Sequence, residues 1–143
     1  MIYIASDHAG FELKNTLCNY LKEQDLEVED VGPFKYDKDD DYPDFIYPCA
    51  VKVASVEGNK GIVLGLSGNG EAIVANKVRG IRCAIYQGGD LKIIELSRQH
   101  NNANVLVLAG RKTPVALAEA CLDAFLDTAF EGGRHARRVA KLA

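Results

Sequence analysis

The chain has 143 residues, 48% hydrophobic and 26% charged, with a formal net charge of -3, values that suit one soluble domain over residues 1–143 and exclude a disordered or fibrous chain. The negative balance argues against broad nucleic-acid binding, and no apolar run approaches the roughly 20 residues of a membrane span. Met1 leads directly into a strand-like stretch rather than a basic leader with an apolar core, so the expected compartment is the cytoplasm.

Short apolar runs alternate with amphipathic ones along the whole length, with no linker, repeat or low-complexity tract. The pattern predicts strands at Tyr3–Ser6, Glu27–Val31, Gly61–Leu66, Arg82–Tyr86 and Asn104–Ala109. Between them it predicts helices at Gly10–Glu23, Asp44–Val56, Gly70–Val78, Asp90–His100 and Thr113–Thr128, with a last helix from Arg134 to the end. Five βα units in series imply an α/β fold: a parallel sheet of five strands, helices on both faces, right-handed crossovers and an extra C-terminal helix. In such sheets ligands bind beyond the carboxyl ends of the strands, where the strand order reverses.

The first strand ends in Ser6-Asp7-His8-Ala9-Gly10, which puts Asp7 and His8 at that edge. Capping explains Asp7 alone, but an acid beside an imidazole also suits proton transfer or the binding of a ligand hydroxyl. After the second strand, Asp37, Asp39 and Asp41 imitate the opening of a calcium loop, yet Tyr42 replaces its glycine and Pro48 its bidentate glutamate, so no metal site is expected. A solvated loop ending in a helix cap at Asp44 is the simpler reading, with Tyr42 free to project its hydroxyl over the cleft.

The third strand runs into Ser67-Gly68-Asn69-Gly70-Glu71 and then a helix. Unpaired N–H groups of the first helical turn, the helix dipole and glycine's lack of a side chain together make a cradle for an anion or oxyanion. A Walker loop would need Lys where Glu71 stands, a dinucleotide fingerprint would need glycine at Ile73, and the nucleophile elbow Gly-x-Ser-x-Gly is broken by Asn69. Glu71 is either a helix-start residue satisfied by the dipole or a base beside the group those donors polarise.

The fourth helix finishes in His100-Asn101-Asn102, a stretch that can serve as nothing more than a stop signal. It precedes a strand and so belongs at the sheet edge opposite the glycine loop; a functional His100 would have to serve the cleft of a second subunit. The fifth strand ends in Ala109-Gly110-Arg111, returning a cation to the ligand edge. In the last helix Arg134 and Arg138 are four apart and share a face, where they are either solvated or a clamp for a phosphate. Cys18, Cys49, Cys83 and Cys121 form no C-x-x-C pair and read as free thiols.

A carboxylate beside an oxyanion cradle, an Asp–His pair, a second histidine and an arginine set, with no cofactor fingerprint, fit aldose–ketose isomerisation of a phosphorylated sugar. A serine hydrolase using Ser67 and a non-catalytic phosphate-binding module are the other readings. The segments Ser6–Gly10, Asp41–Pro43, Gly65–Glu71 with Ala75–Lys77, Ser97–Asn101 and Gly133–His135 with Arg138 closely resemble the ribose-5-phosphate isomerase B family, which also contains galactose-6-phosphate isomerase subunits. The resemblance spans nearly the whole chain.

It implies a three-layer Rossmann-like sandwich, a homodimer or homotetramer with active sites shared between subunits, a sugar-phosphate substrate of the pentose phosphate pathway, and no cofactor or metal. One subgroup places a catalytic cysteine at the position of Gly65; this chain resembles the other, in which a glutamate is the base. Carried over, the resemblance makes Glu71 the base and gives Ser67, Gly68, Asn69 and Gly70 the enediolate oxygen. Asp7 and His100 would then open the furanose, His8, Arg111, Arg134 and Arg138 hold the phosphate, and Tyr42 and Asn101 bind sugar hydroxyls. Leu66 stands where related loops usually have glycine. Ribose 5-phosphate is the leading substrate, with a tetrulose 4-phosphate, galactose 6-phosphate or allose 6-phosphate as alternatives.

Overall fold

Apolar runs of five or six residues become the inner strands of a sheet between two helical layers, and less buried runs its edges. In a computed structural model describing residues 1–143, β1 (Ile2–Ser6), β2 (Val28–Gly32), β3 (Lys60–Gly65), β4 (Cys83–Tyr86) and β5 (Val105–Ala109) form one sheet in the order β2-β1-β3-β5-β4. All four pairings are parallel. The central strands β3 and β5 are covered on both faces, which is why Ile62-Val63-Leu64 and Val105–Ala109 show no polar alternation.

The helices are α1 (Phe11–Glu23), α2 (Pro43–Ala54), α3 (Asn69–Asn76), α4 (Lys92–Asn101), α5 (Val115–Asp127) and α6 (Arg134–Ala140), with a short 3-10 turn at His8–Gly10. Every predicted element is present, and all boundaries except the end of α6 agree within two residues. One correction concerns the start of α2: Pro43, not Asp44, opens it, and the flanking Tyr42 makes no side-chain cap bond. Proline's fixed φ and missing N–H suit the first helical position, so no polar cap is required there.

Right-handed crossovers decide the layers. The chain steps from β1 outward to β2 and then back past β1 to β3, so α1 and α2 fall on opposite faces. One core gathers Leu13, Leu17 and Leu21 of α1, Ile94 of α4 and Leu122 and Phe125 of α5; the other gathers Ile46, Ala50 and Val53 of α2 with Ala72 and Ala75 of α3. The strand order reverses between β1 and β3, whose carboxyl ends carry Ser6–Gly10 and the glycine loop side by side. No helix is long and apolar enough to cross a membrane.

A buried ion pair ties the edge of this frame to the loop that follows β2. The Lys14 side chain is 0% exposed, and its Nζ donates to Asp30 Oδ2 at 2.6 Å and to Asn15 Oδ1 at 2.9 Å. Asp30 Oδ1 accepts from the Gly32 N–H at 2.8 Å, so one carboxylate holds both α1 and the exit of β2. The Asp30→Ala variant leaves the ammonium buried without its counter-ion. It should lose about 3 kcal/mol of stability, at the low end for such pairs because Asn15 and the rings of Phe11 and Phe34 still face Nζ. Urea unfolding with an unchanged slope and a lowered midpoint checks this.

Candidate active site

β3 stops at Gly65 and α3 starts at Asn69, leaving three residues to turn the chain. Gly68 makes the turn with φ +90°, a left-handed conformation that costs other residues free energy, and a Cβ there would also come within 2.7 Å of Val107 Cγ1. Leu66 has no positive φ and its side chain is exposed, so the backbone there does not require glycine. Ser67 Oγ accepts the Asn69 N–H at 3.3 Å, which leaves its hydroxyl proton free to donate.

Glu71, in the first turn of α3, is only 4% exposed. Its carboxylate occupies the space beside the Gly65 Cα, where any Cβ at residue 65 would overlap both carboxylate oxygens. Burial pushes the Glu71 carboxyl above the ordinary glutamate range, the nearby Asp7 charge pushes the same way, and a bond from its own amide opposes them. The result is an acid that is neutral more often, and a stronger base once ionised.

Asp7, also buried, accepts from Ala9 N–H at 2.8 Å and Gly10 N–H at 3.3 Å through Oδ1 and caps the 3-10 turn. Oδ2 makes no hydrogen bond within the chain. His8 is held by a residue not singled out in the sequence: Asp40 Oδ1 accepts from the His8 backbone N–H at 3.2 Å and lies 2.8 Å from Nδ1. A carboxylate only accepts, so the Nδ1 that faces Asp40 carries a proton. Asp40 therefore departs from the expected solvated acidic loop; its Oδ2, like Ser6 Oγ at the end of β1, is buried without a partner.

The Tyr42 ring lies over Gly70, where a Cβ would sit 2.7 Å from Cζ. Arg111 shares with His8 a cleft of about 610 Å³ that also includes Glu12, Thr16 and Thr113. Thr113 in turn lines a smaller cleft of about 180 Å³ with Ser67, Gln87 and Lys112. Glu71 lines neither cleft; its carboxylate is buried beside Gly65. Asp7, His8, Tyr42, Ser67, Gly68, Asn69, Gly70, Glu71 and Arg111 thus gather at the carboxyl edge of the sheet.

His100, Asn101, Arg134 and Arg138 do not join them. α4 runs back from β4 to the start of β5, so its last turn stands at the amino edge. Asn102, with φ 48°, provides the stop, and its N–H donates to Arg98 O. Arg98, unremarked in the sequence, is buried: Nε donates to Thr128 O at 3.1 Å and Nη1 to Ala103 O at 2.6 Å, locking the helix end. The Glu131 N–H donates to Gln99 O at 3.1 Å, laying the Gly132-Gly133 turn and α6 beside α4. His135 then stacks on His100, ring centroids 4.2 Å apart, and burial followed by the His100 charge lowers its basicity. Arg134 and Arg138 are exposed and form no ion pair.

The cysteines are remote in chemistry as well as pattern. Burial pushes the thiols of Cys49 and Cys83 up to about 12 and that of Cys121 to about 11, well above where a thiolate nucleophile forms at neutral pH.

Residues 2–142 match the family described as Ribose/Galactose Isomerase. The chain is 45% identical over 143 residues to ribose-5-phosphate isomerase B of Mycobacterium tuberculosis, covering 99% of this chain and 87% of that one. It is 42% identical over 141 residues to the probable ribose-5-phosphate isomerase B of Mycoplasma pneumoniae, covering 99% and 91%. Among solved structures, it resembles ribose-5-phosphate isomerase B of Mycoplasma genitalium with bound ribulose-5-phosphate, with a TM-score of 0.93, 42% identity and coverage of 99% and 92%. The enzyme from Thermotoga maritima gives a TM-score of 0.91 at 45% identity, with coverage of 99% and 95%.

Burying Glu71 carries a signed consequence for stability. Its folded pKa lies above the unfolded one, so the native state holds more protons and the contribution of this residue falls as pH rises through that window. Glu71→Gln, fixed neutral, should therefore raise the melting temperature at pH 8 relative to the parent, and the difference should vanish near pH 4. Paired thermal melts across pH measure it.

Proposed function

Because the chain belongs to the ribose/galactose isomerase family, we propose that it interconverts ribose 5-phosphate and ribulose 5-phosphate, with Glu71 as the base. The observation that carries the reading is the placement of the Glu71 carboxylate: buried beside Gly65, raised in pKa, and carried by the helical turn that immediately follows Ser67–Gly70. A general base works best when its pKa approaches the working pH, and a buried glutamate beside a second acid moves that way.

In the open-chain aldose, Glu71 takes the proton from C2 while the C–H electron pair forms the C1–C2 double bond and the carbonyl pair moves onto O1. The Ser67 hydroxyl and the main-chain amides of Gly68, Asn69 and Gly70 stabilise the enediolate oxygen. Return of the proton to C1, with transfer of the O2 proton to O1, completes the ketose. Before that, Asp7 accepts the anomeric hydroxyl proton and His100 donates one to the ring oxygen, opening the furanose. Tyr42 and Asn101 bind sugar hydroxyls, and His8, Arg111, Arg134 and Arg138 take the phosphate, whose binding energy holds the reacting carbon against the base.

The division of these groups between opposite sheet edges supports a site built from two chains. The carboxyl edge of one subunit supplies Glu71, Asp7 and His8, and the amino edge of its neighbour supplies His100, Asn101, Arg134 and Arg138. Two such sites fit a homodimer.

A coupled assay on four-, five- and six-carbon aldose and ketose phosphates should show highest turnover with the five-carbon pair; a six-carbon preference would replace the substrate while keeping the mechanism. Glu71→Gln should lower kcat by at least about 10²-fold. Mixing inactive Glu71→Gln with inactive His100→Asn under subunit exchange should restore activity, since each mixed dimer holds one site free of both changes. Activity no greater than that of either variant alone would return His100 to its own chain.

A further inference from the structure

Three side chains of metal-ligating type meet where α6 crosses the end of α4. The rings of His100 and His135 stack with 15° between their planes, and their Nε2 atoms lie 3.9 and 3.7 Å from the same oxygen, Glu131 Oε1. All three groups present a ligand atom within 4.8 Å of one another. These separations exceed hydrogen-bond distance, so the carboxylate is bound to neither imidazole and no strong contact must break before an ion enters.

A zinc ion with bonds of about 2.0–2.2 Å to imidazole nitrogen and carboxylate oxygen holds such atoms about 3.4 Å apart at tetrahedral angles. Each Nε2 therefore needs to approach Glu131 by only a few tenths of an ångström, while one ring rotates out of the stack so that both nitrogens aim at one ion. The backbone already presents the ligands together: the Glu131 N–H is bonded to Gln99 O, His135 follows Glu131 by four residues, and Arg98 fixes the turn that carries His100. Two imidazoles and a carboxylate select zinc or a similar first-row ion over magnesium or calcium, which prefer all-oxygen shells. The neighbouring Arg134 and Arg138 charges lower the affinity for any cation without removing a ligand.

We propose that His100, Glu131 and His135 form a transition-metal site, best suited to zinc, and that its occupation switches the enzyme off. The inhibitory half rests on the role given above to His100: an Nε2 bonded to a metal has no proton to give to a ring oxygen. The same ion would also draw Glu131 and His135 inward beside the arginines that take the phosphate.

The test uses the full chain without a histidine tag, stripped with chelator and titrated with zinc chloride by calorimetry. One zinc per chain should bind, His135→Ala and Glu131→Gln should each weaken binding about tenfold or more, and magnesium chloride should give no signal. Zinc should abolish turnover of the parent protein and chelator restore it, while Glu131→Gln keeps its basal rate and resists the metal. Zinc binding that is absent, or equally tight in both variants, would overturn the site; equal binding would place the ion elsewhere, for instance on Cys83. Binding that both variants lose, without inhibition of the parent, would overturn the switch and the ring-opening role of His100 together. Because calorimetry needs no substrate, the site is decided even if the five-carbon sugar proves wrong.

Discussion

One missing atom organises the carboxyl edge of this sheet. Gly65 has no Cβ, and the space left beside its Cα is where the Glu71 carboxylate lies. A side chain on residue 65 and a buried carboxylate from residue 71 exclude each other sterically, so the end of β3 offers room for one reactive group only. Close backbone approach continues next door, where the Gly110 N–H donates to Gly65 O at 2.6 Å and a Cβ on Gly110 would meet the Gly10 Cα. The strand ends are drawn together, and the acid beside Gly65 comes from the first turn of the helix that follows β3.

The fold was legible because its signal is redundant. Five short strand-like runs, four of them apolar, separated by amphipathic ones admit few topologies once crossovers are short and right-handed. At the glycine loop the signal was local: consecutive residues turn the chain, so their proximity follows from the sequence itself. What could not be read was contact between distant segments whose residue types look unremarkable. Lys14 resembles a surface residue of an amphipathic helix, and its burial depends on Asp30, sixteen residues away, at the exit of β2. Asp40 looks like one more charge in an acidic loop, and only the fold brings it to His8. Asp44 illustrates the reverse error, since Pro43 at the first helical position removed the need for a cap.

The amino edge was legible by residue type and illegible by arrangement. His100 and Arg134 could be singled out, and their distance from the glycine loop follows from α4 preceding a strand. Their packing against each other's neighbours could not be anticipated, because it depends on Arg98 reaching Thr128 and on the Glu131 N–H reaching Gln99. Hydrophobic pattern carries no trace of those two bonds. They convert a stop signal into a platform on which two histidines stack.

The electrostatics of the two edges are complementary, which bears on why the active groups are divided. At the carboxyl edge two acids, Asp7 and Glu71, are buried close enough that one raises the pKa of the other. At the amino edge Arg134 and Arg138 stand four apart on one helix with no carboxylate paired to either. Each arrangement is unfavourable alone, by like-charge repulsion or by burial. Pairing acids and arginines within one chain would satisfy both, but it would lower the basicity of Glu71 and occupy the arginines with protein carboxylates. Under the proposed two-chain site, keeping them on opposite edges leaves Glu71 the stronger base and the arginines free of protein carboxylates. In the proposed reaction the substrate's doubly charged phosphate, held by the arginines, supplies the counter-charge that the chain itself withholds from them.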